Sequence, residues 1–411
     1  MPDLDFDIIV VGGGAAGFFA AINAAEMNPR LRIAILERSQ KVLSKVKVSG
    51  GGRCNVTHAE YIPAELAAYY PRGEKELLGP FHHFMTGDVV AWFEERGVPL
   101  KTEADGRMFP VSNDSQTILD CFINLTDQHR IEVLTKQSVT DISKTGERWT
   151  IRTTTHTFTA QIILLATGSD ARTWEMLAGL GHTIVPPVPS LFTFHIKDDR
   201  IRDLPGVASE AFVRVLDTKK EHPLESSGPL LITHWGMSGP AILKLSAWGA
   251  RILHSQNYRF AIEVNWLPHL PPSEVADKLK SLKNTSGKQS VLKNVQFGLP
   301  RRLWINLVSH AGISPDDNWG DISKNQINDL TAQLTAGRFE VNGKSTFKEE
   351  FVTAGGVDLR EINFKTFESK IVPGLFLAGE ILNIDALTGG FNFQNAWTGG
   401  YLAAKAMDLR F

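Results

Sequence analysis

A short apolar, β-branched run, Asp7 to Val11, leads directly into Gly12-Gly13-Gly14-Ala15-Ala16-Gly17 and then into an Ala-rich stretch ending near Met27. No other feature constrains the fold as tightly. The run reads as a buried parallel strand and the Ala-rich stretch as a helix. Gly12 permits a tight turn, Gly14 lets a pyrophosphate approach the backbone, and Gly17 allows close helix–strand packing. The helix N-terminus offers unpaired N–H groups and a positive dipole end to phosphates. Leu31 to Leu36 forms a second apolar run closed by Glu37, 20 residues beyond Gly17. A carboxylate there suits the ribose hydroxyls of an adenosine. Gly12, Gly14, Ala15, Ala16, Gly17, Glu37 and the adjacent Arg38 are therefore expected to bind a dinucleotide.

The rest of the chain is organised around this unit. With 411 residues, two or three domains are expected. Apolar residues make up 43% and charged residues 21%, which excludes wholesale disorder. Strand patterns are read at Ile131 to Leu134, Trp149 to Arg152, Phe158 to Ala160 and Ile162 to Thr167. Pro186-Pro187-Val188-Pro189 marks a shift to alternating strands at Leu191 to Ile196, Ala211 to Leu216, Leu230 to Thr233 and Phe260 to Val264, the pattern of an antiparallel barrel or sandwich. From Ser273 to about Leu334 the pattern is helical, with Ser273-Glu274 and Ser314-Pro315-Asp316-Asp317 as helix starts. Strands return at Arg338 to Val341, Phe347 to Thr353 and Leu375 to Leu377, and a helix at Gln394 to Met407. The simplest assembly is an α/β domain made of both chain ends, 1–189 and 352–411. A β-barrel, 190–267 and 336–351, is inserted into it. A helical insertion, 268–335, interrupts the barrel.

Two further glycine-rich segments carry chemistry. Leu377-Ala378-Gly379-Glu380 is followed by Thr388-Gly389-Gly390-Phe391-Asn392-Phe393-Gln394. A glycine and an acid after a strand resemble the segment with which two-dinucleotide-fold flavoproteins meet the ribityl–phosphate region of FAD. The helix that follows could face the flavin pyrimidine edge. Lys47 to His58 holds Gly50-Gly51-Gly52, where backbone can run against a flat ligand. Disulfide-type flavin reductases carry a cysteine pair in a comparable segment. Here the fifth residue after Cys54 is Ala59, so hydride is expected to pass directly between flavin and substrate. Gly236-Met237-Ser238-Gly239 lacks a third glycine, so no second dinucleotide unit is expected, and NADH or NADPH would act as a transient reductant.

Four segments resemble the bacterial BaiN-like family of flavoproteins, also labelled aminoacetone-oxidase-like or NAD(P)/FAD-dependent oxidoreductases. They are residues 47–57, 233–241, 353–357 and 379–394. The resemblance spans nearly the whole chain. Ser169, Asn383 and Phe391 depart from residues common in that family. The resemblance implies a discontinuous Rossmann-like FAD-binding domain of glutathione-reductase type with an inserted β-barrel and a helical insertion. It also places Lys45, Ser49, Gly50, Gly51, Arg53, Asn55, Thr167, Gly168, Gly379, Glu380, Thr388, Gly389, Gly390, Phe391, Asn392 and Gln394 beside FAD.

Flavin chemistry also needs a proton carrier, for which Cys54, His234 and Asp385 are the catalytic candidates. Asn392 and Gln394 suit flavin ring edges. His58, His82 and His83 lack metal-ligand spacing with cysteines, so no metal is expected. Lys278, Lys280, Lys283, Lys288, Lys293, Arg301 and Arg302 fall in a stretch without Asp or Glu, a possible RNA contact in a chain of net charge -2. Some members of the family have been linked to reduction of a uridine in ribosomal RNA. The leading expectation is an FAD-dependent oxidoreductase acting on a small molecule. The alternatives are a flavin-dependent reductase of a ribosomal RNA uridine and a non-enzymatic flavin redox sensor or assembly factor. The acidic N-terminus, the short apolar runs and the two cysteines suggest a cytoplasmic protein that binds no membrane.

Overall fold

The computed structural model describes residues 4–216, 223–345 and 352–411. The chain forms two compact units, one of residues 1–188 with 352–411 and one of residues 189–351.

The first unit opens with strand β1 (Asp5–Val11), helix α1 (Ala15–Met27) and strand β2 (Ile33–Leu36). β1 lies between β2 and strand β3 (Thr157–Leu165), parallel to both. Strand β4 (Leu375–Leu377) adds in parallel on the far side of β3. The expected strands at 158–160 and 162–167 are one strand. Its first half pairs antiparallel with Arg148–Thr153, its second half parallel with β4. Exposed Gln161 sits at the change of partner, which is why the pattern reads as two pieces. Residues 8–10 are wholly buried, as a central strand covered on both faces requires.

The sheet is level at one end. Val11 is paired with Leu36 and with Leu165, and Leu165 with Leu377. Four parallel strands thus stop in one row. Gly12, Glu37, Ala166 and Ala378 leave that row together, at the carboxyl edge where ligands of open α/β sheets bind.

The last helix, α2 (Phe391–Asp408), starts three residues before the expected Gln394 and packs on α1. A Cβ on Gly400 would lie 3.0 Å from the Ala16 carbonyl oxygen and 3.3 Å from the Ala20 nitrogen. Trp397 is fully buried, with its ring 5.2 Å from Phe19 and 5.7 Å from Phe122. Pro186 to Pro189 lie within a strand, Ile184–Ser190, whose partner is Val352–Val357. That sheet has two strands, so missing N–H groups are tolerated there.

In the second unit, seven strands run antiparallel from Gly337–Asn342 at one end to Lys344–Ser345 at the other. Only Gly343 separates those outer strands, so the sheet curls back on itself as a barrel. Helices Pro272–Thr285, Arg301–His310 and Lys324–Thr335 share the barrel's core, with Leu279, Trp304 and Leu330 in one cluster with Phe194, Val213 and Ile232. Ser314 to Asp317 begins no helix. It forms a turn in which the Asp317 carboxylate accepts from the Ser314 N–H at 2.8 Å. The helix begins at Lys324 with a reciprocal cap between Ser323 and Gln326. Of the expected strand Phe347 to Thr353, residues 347–351 lie outside the described residues.

Replacing Gly400 with Val should overpack the α1–α2 contact. We expect a loss of about 1–3 kcal/mol in stability, read as a lower unfolding midpoint in urea.

Candidate cofactor and active site

The glycine fingerprint is built as its spacing requires. Gly12 has φ +114°, and a Cβ there would stand 2.4 Å from the Ala166 carbonyl oxygen. A Cβ on Gly17 would stand 2.1 Å from the Gly12 carbonyl oxygen. Gly14 differs: nothing lies within 4 Å of a Cβ built on it. Its carbonyl accepts the first intrahelical bond from Phe18, so the N–H groups of Ala15, Ala16 and Gly17 precede the helical ladder. The fold thus needs Gly12 and Gly17 and leaves open space over Gly14.

Acids and bases from three strand ends converge on this edge. Glu37 accepts from the Gly13 N–H at 2.9 Å and from the Ser39 N–H at 2.8 Å. Lys45 pairs with Glu380 at 2.5 Å, and Glu380 also accepts from the Thr353 N–H at 3.3 Å. A Cβ on Gly168 would be 3.5 Å from the Glu380 carboxylate, and one on Gly379 3.3 Å from Ala16. Arg38 pairs with Asp170 at 2.5 Å, while Asp170 caps the helix Ala171–Gly179 through Thr173. The Thr167 hydroxyl is buried without a protein partner.

The segment 49–55 folds as a loop in left-handed backbone. Gly50, Gly51, Gly52 and Cys54 have φ of +58°, +70°, +84° and +60°. A Cβ on Gly51 or Gly52 would meet nothing within 4 Å, so this backbone faces open space. Ser49 accepts through its carbonyl from the Cys54 N–H at 3.0 Å, closing the loop. Arg53 turns to Glu103 at 2.6 Å and lies over the Phe109 ring at 3.9 Å. Its side chain therefore anchors the loop to protein. The Asn55 side-chain oxygen Oδ1 is buried without a partner.

The loop ends against the head of α2. The Trp397 indole donates to the Val56 carbonyl at 2.9 Å, and the Thr57 hydroxyl donates to Gln394 at 2.6 Å. Gln394 in turn donates to Thr398 at 3.0 Å. Asn392 makes two bonds to the Ala386 backbone, at 3.1 and 3.2 Å. The amides expected at the flavin ring edges are thus both used inside the protein, and side chains there lock the loop. Thr388 is exposed, and Gly390, φ +101°, opens the helix. Phe391 is buried between Tyr69 and His58, with centroids at 4.1 and 4.5 Å. Tyr70 donates to the Phe391 carbonyl at 2.5 Å.

Of the three proton-carrier candidates, Cys54 and Asp385 lie in the first unit and His234 in the second. Cys54 is fully buried, and burial pushes its thiol up to about 12 against a weaker pull from Ser49. It keeps its proton at any ordinary pH. Asp385 is fully buried and held by both ends of the Arg72 guanidinium, so its carboxylate fixes the 385–391 loop. Breaking a buried pair of this kind costs about 3–5 kcal/mol. His234 belongs to the second unit, exposed in a hairpin turn. Sequence reasoning missed Arg72, Asp170, Tyr69 and Tyr70, none of which sits in a motif. Of the basic residues, Lys283 donates to the Ile322 carbonyl, Lys280 pairs with Asp277 at 3.0 Å and Arg302 donates to the Asp203 carbonyl at 2.9 Å. Lys278, Lys288, Lys293 and Arg301 are exposed.

Level strand ends, an open glycine turn and a carboxylate closing the second strand define a dinucleotide-binding α/β protein. Residues 6–406 match the family described as "HI0933-like protein Rossmann domain", and the chain belongs to that family. Relatives match end to end. The ribosomal RNA dihydrouridine synthase of Haemophilus influenzae is 27% identical over 97% of this chain and 98% of its own. The 3-dehydro-bile acid delta(4,6)-reductase of Clostridium scindens is 25% identical over 98% of both chains. In structure, 3-ketosteroid delta1-dehydrogenase of Sterolibacterium denitrificans shares the fold with a TM-score of 0.52 at 12% identity, covering 99% of this chain and 100% of its own. The chain is an FAD-dependent oxidoreductase of BaiN-like type. Among the described residues no helix is long and apolar enough to cross a membrane.

The residues fit FAD: bare backbone at Gly14, Gly51 and Gly52 leaves space that a Cβ would take. Gly14→Val should therefore purify colourless with a melting temperature close to that of the flavin-stripped parent, whereas Gly12→Ala should melt below that parent. Alkylation of the native protein at pH 8 should leave Cys54 unlabelled by mass spectrometry, because its thiolate is absent there.

Proposed function

We propose that this protein reduces a carbon–carbon double bond conjugated with a carbonyl group, taking its electrons from NADH or NADPH and passing them on without a thiol relay. The observation that carries the direct route is the state of the cysteines. The chain has two, and both are buried and unpaired. A dithiol relay needs an accessible pair. Bound FAD supplies hydride chemistry at its N5 atom. The chain's own residues bind and orient it. The α1 N-terminus and Gly14 take the pyrophosphate, Glu37 the adenosine ribose, Glu380 with Lys45 the ribityl–phosphate region, and the backbone of 50–52 and 388–391 the flavin ring.

The substrate class is supported by the relatives' printed activities. Formation of dihydrouridine and delta(4,6)-reduction of a 3-dehydro steroid both saturate a double bond conjugated with a carbonyl. The hydride goes to the carbon β to the carbonyl and a proton to the α carbon. Cys54 is unsuited to give that proton, because its thiol is buried and far too weak an acid.

A uridine in ribosomal RNA is the second reading. It is favoured by the exposed Lys278, Lys288, Lys293 and Arg301 in a stretch without acids. Mapping dihydrouridine in ribosomal RNA from cells with and without the gene tests it. A missing modification supports it, and an unchanged map removes it.

Anaerobic stopped-flow mixing tests the leading reading. NADH or NADPH should bleach the flavin band, and an α,β-unsaturated ketone should restore it far faster than an isolated alkene. Equal slowness with both acceptors would overturn it.

A further inference from the structure

The segment Thr233 to Ala241 lies in the second unit, and its geometry is tightly fixed. Thr233 pairs with Gly236 across two antiparallel strands, Glu225–Thr233 and Gly236–Ser238, so His234 and Trp235 alone form the turn. Gly236 has φ +146°, and a Cβ there would stand 2.2 Å from the Phe194 carbonyl oxygen. Gly239 has φ +88°, with its Cβ position 2.8 Å from the Pro229 carbonyl oxygen. No other residue type fits at either point. The Ile196 N–H donates to the Trp235 carbonyl at 3.0 Å.

This clamped turn holds a large aromatic ring out in solvent. Trp235 is 55% exposed, and its ring is backed by His195 at 5.9 Å and 20°. Burial, with Lys344 and Lys197 nearby, lowers the His195 pKa, so the backing ring is neutral. An indole left exposed on a rigid support is a stacking platform. Beside it lies a polar cleft of about 230 Å³, lined in part by Lys197, Asp198, Arg202 and His234. Its one lining acid, Asp198, is answered by Arg200 at 2.7 Å, and the lining Arg202 is paired with Asp199. Lys197 is exposed and makes no ion pair with a described residue. The cleft is smaller than the ~300–1,000 Å³ of drug-sized sites, room for one nucleotide and not for a dinucleotide.

We propose that this cleft is a nucleotide subsite: the base stacks on Trp235, His234 hydrogen-bonds to its edge or ribose, and Lys197 meets a phosphate. Two sources share that chemistry, a single-stranded RNA and the nicotinamide dinucleotide. The site lies in the second unit alone, and its two sources rest on the proposed function.

The experiment uses the FAD-loaded protein in two arms. Anisotropy of a fluorescein-labelled oligouridylate reads RNA binding without turnover. The NADPH concentration giving half-maximal flavin bleaching reads the dinucleotide. Trp235→Ala should weaken one arm or both by roughly 5- to 150-fold, the stacking contribution of one base, while Trp235→Phe retains most of the affinity. A change in the RNA arm alone identifies RNA, and a change in the NADPH arm alone identifies the dinucleotide. Lys197→Ala should flatten the salt dependence of the RNA arm by about 0.7 in the log–log slope, or, in the NADPH arm, raise the half-maximal concentration at low salt more than at high salt. If Trp235→Ala moves neither arm, the subsite is overturned. If it weakens binding while Lys197→Ala leaves the salt slope unchanged, the nucleotide assignment is overturned in favour of an uncharged ring. Because the RNA arm needs no turnover, a failed reduction assay leaves this test readable.

Discussion

The alignment of four parallel strand ends is the constraint on which the rest depends. Val11, Leu36, Leu165 and Leu377 stand level across the sheet. Each is followed within three residues by a glycine or a carboxylate of the candidate site. Gly12 follows β1, Glu37 follows β2, Gly168 follows β3, and Gly379 with Glu380 follows β4. A slip of one residue in any of these pairings would turn the buried side chains of that strand to the opposite face. Burial of the strands and placement of the site are therefore one event.

The second constraint is the join between the two chain ends. Trp397 and Gln394 reach from α2 to Val56 and Thr57, and Tyr70 reaches from the first third of the chain to Phe391. These bonds are buried, so each replaces a water contact that a folded interior cannot supply. The Arg72–Asp385 pair adds a charge that is costly to leave unmatched. The loop carrying Cys54 is thus tied to the loop carrying Gly390, and the thiol's burial is a by-product of that closure. A cysteine so placed is buried and keeps its thiol protonated.

Much of the fold was legible because it rests on local pattern. The β1–α1–β2 unit and the barrel strands follow from periodicity and glycine punctuation. The fingerprint's three glycines behave as their spacing predicts, down to the open space over Gly14. What was not legible depends on distant partners. Nothing near Asp385 in sequence announces Arg72, 313 residues away. Asn392 and Gln394 read as ligand-binding amides, and their partners inside the protein, Ala386 and Thr57, are not announced by the sequence. Ser314 to Asp317 has the composition of a helix start, but Asp317 turns back on Ser314, and the helix waits for the Ser323–Gln326 cap. His234 reads in sequence as a proton carrier, and the fold holds it with Trp235 in a two-residue turn that the sequence pattern does not reveal.

One binding measurement reaches the centre of this account. Calorimetric titration of FAD into the flavin-stripped protein should give one molecule bound per chain, with the flavin's fluorescence changing in step. Heat and fluorescence that remain flat at saturating FAD would contradict the claim that the two chain ends close around this cofactor.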